Sequence, residues 1–125
     1  MSVAVGIGFR AGASAEAIER GVHEALTRAG GAAAGLHTSA HKAGAANLVK
    51  AAARLGLGLH YHDEAALAAV RAKVRSHSQR IAGLFGVGSL AVAAALAGAG
   101  AGARLVVPKF SGDGVSCAVA KGGER

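Results

Sequence analysis

Apolar positions along the chain come in short runs of β-branched residues separated by stretches of helical period. Residues 2–8, SVAVGIG, read as a buried strand. Ser14 then offers an N-cap and Glu16 an acidic first turn. Ile18, Val22, Ala25, Leu26 and Ala29 mark one face of a helix that stops at Gly30 and Gly31. Residues 32–38, AAAGLHT, are a second strand, although alanine contributes little β preference. Between Gly44 and Leu55 a second helix carries Leu48, Ala51, Ala52 and Leu55 at helical spacing, with Gly56 as its stop. LGLHYH, residues 57–62, is a third strand, and Asp63 caps a helix bearing Leu67, Val70 and Val74. After a polar link, RSHSQR, and one long apolar stretch, residues 104–108 and 114–120 are strands joined by KFSGDG, whose Gly-Asp-Gly signals a turn and a hairpin. Strands alternating with helices predict a three-layer α/β/α domain over residues 1–125, with a mixed, mainly parallel sheet of about five strands.

The apolar stretch, residues 81–103 (IAGLFGVGSLAVAAALAGAGAGA), is open to three readings: a membrane span, a buried helix, or a glycine loop for a ligand. It holds seven strongly apolar residues among nine Ala, six Gly and one Ser. Those seven supply only about −2 to −4 kcal/mol of insertion free energy. With glycines at both ends, the helical core shrinks to residues 89–97, the length of a soluble-domain helix. No membrane span is expected. The opening MSVAVGIGFR has neither the basic region nor the apolar length of a signal peptide, which predicts a cytoplasmic protein.

Composition sharpens this picture. The 125 residues are 52% apolar, mostly Ala, and 3% aromatic, so helices must pack through small faces that also suit a homo-oligomer. Fourteen Lys and Arg against seven Asp and Glu leave a net charge of +7, which asks for an anionic partner. The basic residues are dispersed and the few aromatics form no stacking platform, so nucleic acid is not expected. A single cysteine, Cys117, excludes an internal disulfide and reads as a small buried hydrophobe.

In such a domain ligands bind outside the carboxyl ends of the strands, which singles out three loops. Gly6-Ile7-Gly8-Phe9-Arg10-Ala11 formally matches G-x-G-x-x-A. A dinucleotide site would show an acidic residue about 20 residues on, and HTSAHK stands there instead. Arg10 reads either as a carboxylate or phosphate clamp or as a solvated arginine beside a tight turn. In the second loop Thr38, Ser39 and Lys42 either bond an anion or shape a turn. In the third, Gly86 and Gly88 precede a helix start at Ser89, where free amides attract an anion or the glycines make room for packing. His37 or His41 near Ser39 are the available general bases, yet no Ser-His-Asp spacing is recognisable. His37/His41 and His60/His62 are loosely paired, but no Cys or carboxylate completes a metal site, and neither a metal nor a cofactor is expected.

These motifs in this order resemble a family. The Gly6–Gly8–Arg10 segment with Ser14 and Glu16, the strand end at 38–42, Gly86-Val87-Gly88-Ser89-Leu90-Ala91 leading into the alanine run, and Lys109 ahead of Ala118-Val119-Ala120 are similar to CobE and the C-terminal domain of CbiG. These are cobalamin biosynthesis proteins, and the resemblance spans residues 3–121. It implies a protein that binds an anionic corrin or precorrin intermediate and assists its processing or transfer in the aerobic pathway, in company with other corrin-pathway enzymes. CbiG-type proteins open the lactone of cobalt-precorrin-5A and release a two-carbon aldehyde, so a lactone hydrolase is the alternative, and a nucleotide- or nucleic-acid-binding module a second one. The binding residues implied are Gly6, Gly8, Phe9, Arg10, Thr38, Ser39, Lys42, Gly86, Gly88, Ser89 and Lys109, with no catalytic residue assigned. The chain departs from the family pattern at Phe9, where a cysteine is frequent, at residues 43–46, where acidic residues follow the lysine, and at Val92, in place of a glutamate. Those losses favour a binding protein over an acid–base catalyst.

Overall fold

In a computed structural model, which describes residues 3–31, 35–77 and 89–122 and leaves the side chains of 74–77 aside, the predicted alternation becomes one sheet covered on both faces. The elements are β1 (Val3–Phe9), α1 (Ala15–Arg28), β2 (Gly35–Ser39), a 3-10 turn (Ala40–Lys42), α2 (Ala46–Leu55), β3 (Leu59–His62), α3 (Glu64–His77), α4 (Leu90–Ala99), β4 (Arg104–Gly112) and β5 (Val115–Lys121). The sheet order is β3-β2-β1-β5-β4. β1, β2 and β3 pair in parallel, while β5 runs antiparallel to both β1 and β4. Four of the five strands therefore point one way, as a mixed, mainly parallel α/β sheet requires.

Local chemistry sets the element ends. The Ser14 hydroxyl accepts the Ala17 N–H at 3.0 Å to start α1, and the Ser89 hydroxyl accepts the Val92 N–H at 3.2 Å to start α4. Asp63 caps α3 by accepting the Ala66 N–H at 2.8 Å. Several boundaries differ from the sequence reading. Gly44 takes φ +84°, so α2 begins only at Ala46. The Leu57 N–H bonds back to the Ala52 carbonyl to finish α2, which delays β3 to Leu59. With no Gly or Pro to stop it, α3 runs on through Arg75 and Ser76 to His77. β4 extends to Gly112, because Asp113 (φ 55°) and Gly114 (φ 78°) alone make the two-residue hairpin turn that matches strand twist. Residues 32–34 of the second predicted strand lie outside the described residues.

The alternation along β1 assigns the two faces. Val5, Ile7 and Phe9 point to α1 and α2, where they join Ile18, Val22, Leu36, Leu48, Val115, Cys117 and Val119 in the main core. Cys117 is buried there, and burial pushes its thiol up to about 12, so it is an inert hydrophobe as expected. Ala4, Gly6 and Gly8 point the other way, with Ala118 and Ala120 of β5, and α4 rests on them through Ala91, Val92, Ala95 and Ala99. α3 then packs on α4 through Leu67. Of the apolar stretch, Leu90–Ala99 is thus a buried helix, residues 81–88 lie outside the described residues, and among the described residues no helix is long and apolar enough to cross a membrane.

At Gly6 this packing is backbone on backbone: a Cβ there would lie 1.8 Å from the Ala91 carbonyl oxygen and 2.5 Å from the Ala95 nitrogen. Neither atom can move without shifting the helix. Gly6→Ala is expected to destabilise the protein by about 3 kcal/mol or more, lowering Tm by roughly 10 °C. Gly12→Ala, where a Cβ meets nothing within 4 Å, serves as the neutral control. Thermal unfolding of the two variants side by side checks this; equal melting temperatures would refute the close-contact account.

Candidate functional site

The site begins where the β1–β2 ladder ends. Backbone pairing between these parallel strands runs from Ala4↔Gly35 to Gly6↔His37 and then stops. Beyond it, two β1 carbonyls face β2 without a strand partner, and side chains take them over. Thr38, fully buried, donates its hydroxyl to the Ile7 carbonyl at 2.7 Å. Lys42 donates its ammonium to the Phe9 carbonyl at 2.9 Å and stands 4.7 Å from the centre of the Phe9 ring. Ser39, also buried, accepts the His41 N–H at 3.1 Å and shapes the 3-10 turn that brings Lys42 back over β1. Thr38 and Ser39 therefore build the turn, while Lys42 keeps two of its three N–H donors for another acceptor.

The parting of β1 and β2 leaves a cleft of about 540 Å³ lined by Phe9, Ala11, Ala13, His41, Lys42 and residues 43–47. Asn47 ties its far wall, donating to the Ala13 carbonyl at 2.8 Å. The amino end of α2 opens into this cleft with Ala45 at its N-cap and the Asn47 Oδ1 accepting the Leu48 N–H at 2.8 Å. A second hollow, about 280 Å³, lies on the other side of the β1–α1 loop between Arg10, Gly12, Ala13, Asp113 and Gly114. The Arg10 backbone N–H donates to the Gly114 carbonyl at 2.9 Å, holding the loop to the hairpin turn. Asp113 is engaged by Arg20 at 3.2 Å, which leaves the exposed Arg10 guanidinium without an acidic partner among the described residues. Arg10 and Lys42 thus flank one loop and do not share a cavity.

The remaining residues of the predicted set are scattered. Gly6 and Gly8 lie inside β1 and face α4, so the G-x-G-x-x-A segment is strand through Phe9 and lacks the loop geometry of a dinucleotide fingerprint. Ser89 caps α4, and Gly86 and Gly88 lie outside the described residues. Lys109 is exposed on the edge strand β4, three strands away from β2. Val92 is fully buried in the apolar seat of α4.

The histidines group differently from the sequence pairing. Parallel register sets His37 opposite His60 and Ser39 opposite His62. His37 stacks on His60 with ring centroids 4.6 Å apart, and its Nδ1 lies 2.9 Å from His62 Nε2. His41, the expected companion of His37, lines the cleft instead. Burial first, and the neighbouring rings second, hold His37 down at about 4, and burial likewise lowers His62, so these two rings are uncharged at neutral pH. Strand alternation at His60 and His62 was the available signal, but it needed the β2–β3 register to be read.

Comparison with known proteins fits this geometry to a family. The family model described as "Cobalamin synthesis G C-terminus" matches residues 3–120. The crystal structure of cobalamin biosynthesis protein chiG from Agrobacterium tumefaciens is similar at TM-score 0.83 and 40% identity, covering 98% of this chain and 99% of that one. The structure of CobE, a protein from the cobalamin biosynthetic pathway, is similar at TM-score 0.78 and 30% identity, covering 99% of this chain and 93% of that one. No curated protein matches the chain.

Thr38 offers a direct check on the division between scaffold and binding residues. Thr38→Val keeps the shape but leaves the Ile7 carbonyl unpaired, and should cost about 1–3 kcal/mol of stability, whereas Thr38→Ser should retain most of it. Urea denaturation of both variants measures this, and equal stability of Thr38→Val and wild type would return Thr38 to the ligand-binding set.

Proposed function

Since the chain belongs to the cobalamin synthesis G C-terminal family, we propose that it binds an anionic corrin or precorrin intermediate across the carboxyl end of the sheet and assists its processing or transfer. The observation that carries this reading is the pair of cations on either flank of the β1–α1 loop. Corrin precursors are apolar macrocycles rimmed by acetate and propionate carboxylates. Ala11 and Ala13 give such a ring a low apolar floor, with the Phe9 side chain at the cleft wall. Lys42 on one side and Arg10 on the other match carboxylates at two points of the rim, and charge-assisted hydrogen bonds of this kind fix both affinity and orientation. A macrocycle lying over the loop needs both hollows open at once, which two shallow cavities on either side of it allow.

His41 in the same cleft is the group available to a lactone hydrolase, since it is the histidine among the lining residues. A carrier and a hydrolase share the binding step and part at turnover.

Titration of the protein with late precorrin intermediates, followed by visible absorbance, tests the binding step. Lys42→Ala and Arg10→Ala should each weaken binding about tenfold to a hundredfold, the equivalent of one charge-assisted hydrogen bond. No spectral change with any intermediate, or affinities unmoved in both variants, would defeat the reading. Released aldehyde that disappears in His41→Gln would assign hydrolysis to the domain; binding without aldehyde assigns transfer.

A further inference from the structure

Arg10, Ala11 and Gly12 are exposed, and a Cβ on Gly12 would meet no atom within 4 Å, so packing does not hold the crest of the β1–α1 loop. Its position rests on hydrogen bonds. On the hairpin flank the Arg10 N–H donates to the Gly114 carbonyl at 2.9 Å, and within the loop the Ala13 N–H donates to the Arg10 carbonyl at 2.9 Å. On the α2 flank the bridging side chain is Asn47. Its Nδ2 donates to the Ala13 carbonyl at 2.8 Å, and its Oδ1 accepts the Leu48 N–H at 2.8 Å. Lys42 stops short of the loop, at the carbonyl of Phe9, the last residue of β1. Serving a carbonyl and an N–H at once takes a donor and an acceptor on one short side chain, and asparagine supplies both. Asparagine is a weak helix former, yet it stands in the first turn of α2 with its amide turned to the loop.

We infer that Asn47 is a positioning residue for the ligand: it orders the exposed loop in advance, so that the crest between the two hollows meets the macrocycle as a fixed bar. This rests on the reading that the macrocycle lies over the loop. A loop tied at both flanks has little freedom left to lose on binding. Tied at the hairpin alone, it must be ordered by the ligand, and affinity falls by that entropy. Lys42 is anchored to β1 by its own bond, so its contribution survives when the Asn47 tie is cut. Asn47 also lines the cleft, which makes direct contact with the ligand the competing account. The two accounts part on rescue. Gly12 lies outside the left-handed region and in open space, so Gly12→Ala restricts the loop without touching Asn47's place.

Amide hydrogen exchange of the free protein, read by NMR, is the first arm of the test. Asn47→Ala should speed exchange at Ala13 about tenfold or more and leave the sheet amides of Val5 and Val119 as in wild type. Asn47→Asp keeps the acceptor for Leu48 and loses only the donor, so it should give the same acceleration and serves if Asn47→Ala does not fold. The second arm is visible-absorbance titration with a late precorrin intermediate. Asn47→Ala should bind about fivefold to thirtyfold more weakly, the cost of fixing one residue's backbone. Adding Gly12→Ala should recover about twofold to fivefold, and Lys42→Ala should lose the same factor in either background. Unchanged exchange at Ala13, binding that Asn47→Ala leaves unaltered, or weakened binding without recovery in the Gly12→Ala double variant overturns the positioning role alone. Failure of the wild type to bind any intermediate defeats the functional reading, and the inference with it.

Discussion

Everything on one face of this molecule depends on how closely α4 approaches β1. With hydrogen alone at Gly6, the Ala91 and Ala95 backbone settles directly on the strand, and Ala4, Ala118 and Ala120 continue the same shallow seat. Such packing gains little from any one side chain, since an alanine buries little area. It gains from density, many short contacts between flat surfaces, and is correspondingly intolerant of an added methyl group. The alanine content of Leu90–Ala99, which makes that part of the sequence look ambiguous, is the direct consequence.

A second constraint shapes the opposite end. Parallel pairing of β1 and β2 stops at Gly6↔His37, and the carbonyls of Ile7 and Phe9 would be left unpaired if Thr38 and Lys42 did not donate to them. The strands separate there because side chains, which reach farther than a backbone N–H, now span them. A cleft and a cation positioned at its wall arise from one structural need.

These two constraints explain what was legible in the sequence. Elements with a clear apolar period, such as α1 through Ile18, Val22 and Ala25, are found where their pattern puts them, and caps at Ser14, Asp63 and Ser89 mark their starts. The family resemblance rested on the same motifs and is matched over residues 3–120. What could not be read was which way a small residue faces. Gly6 and Gly8 looked like loop glycines because a strand–glycine–helix string is identical whether the glycine meets a phosphate or a helix backbone. Thr38 and Ser39 looked like anion ligands because a hydroxyl at a strand end serves either a ligand or the chain itself. The histidine cluster was missed because proximity came from β2–β3 register, whereas sequence spacing joined His37 to His41.

The charge balance bears on how a ligand is drawn in. Glu16 and Glu19 are held by Arg54, Glu24 by Arg28, Glu64 by Arg71 and Asp113 by Arg20. Local pairing therefore uses most of the acidic groups and leaves the excess of +7 as a field over the surface. Arg104 and Lys121 even stand opposite each other across β4 and β5, a like-charged pair that adds to this field at the cost of some stability. In physiological salt the field decays over about 8 Å, so it raises the encounter rate with an anion without choosing the anion or its orientation. Choice falls to groups held in place. Lys42, already tied to the Phe9 carbonyl and ring, loses less side-chain freedom on meeting a carboxylate than a free lysine would. The hydrogen bond that completes the strand end thus also pre-orients the cation, and folding and recognition draw on the same contact.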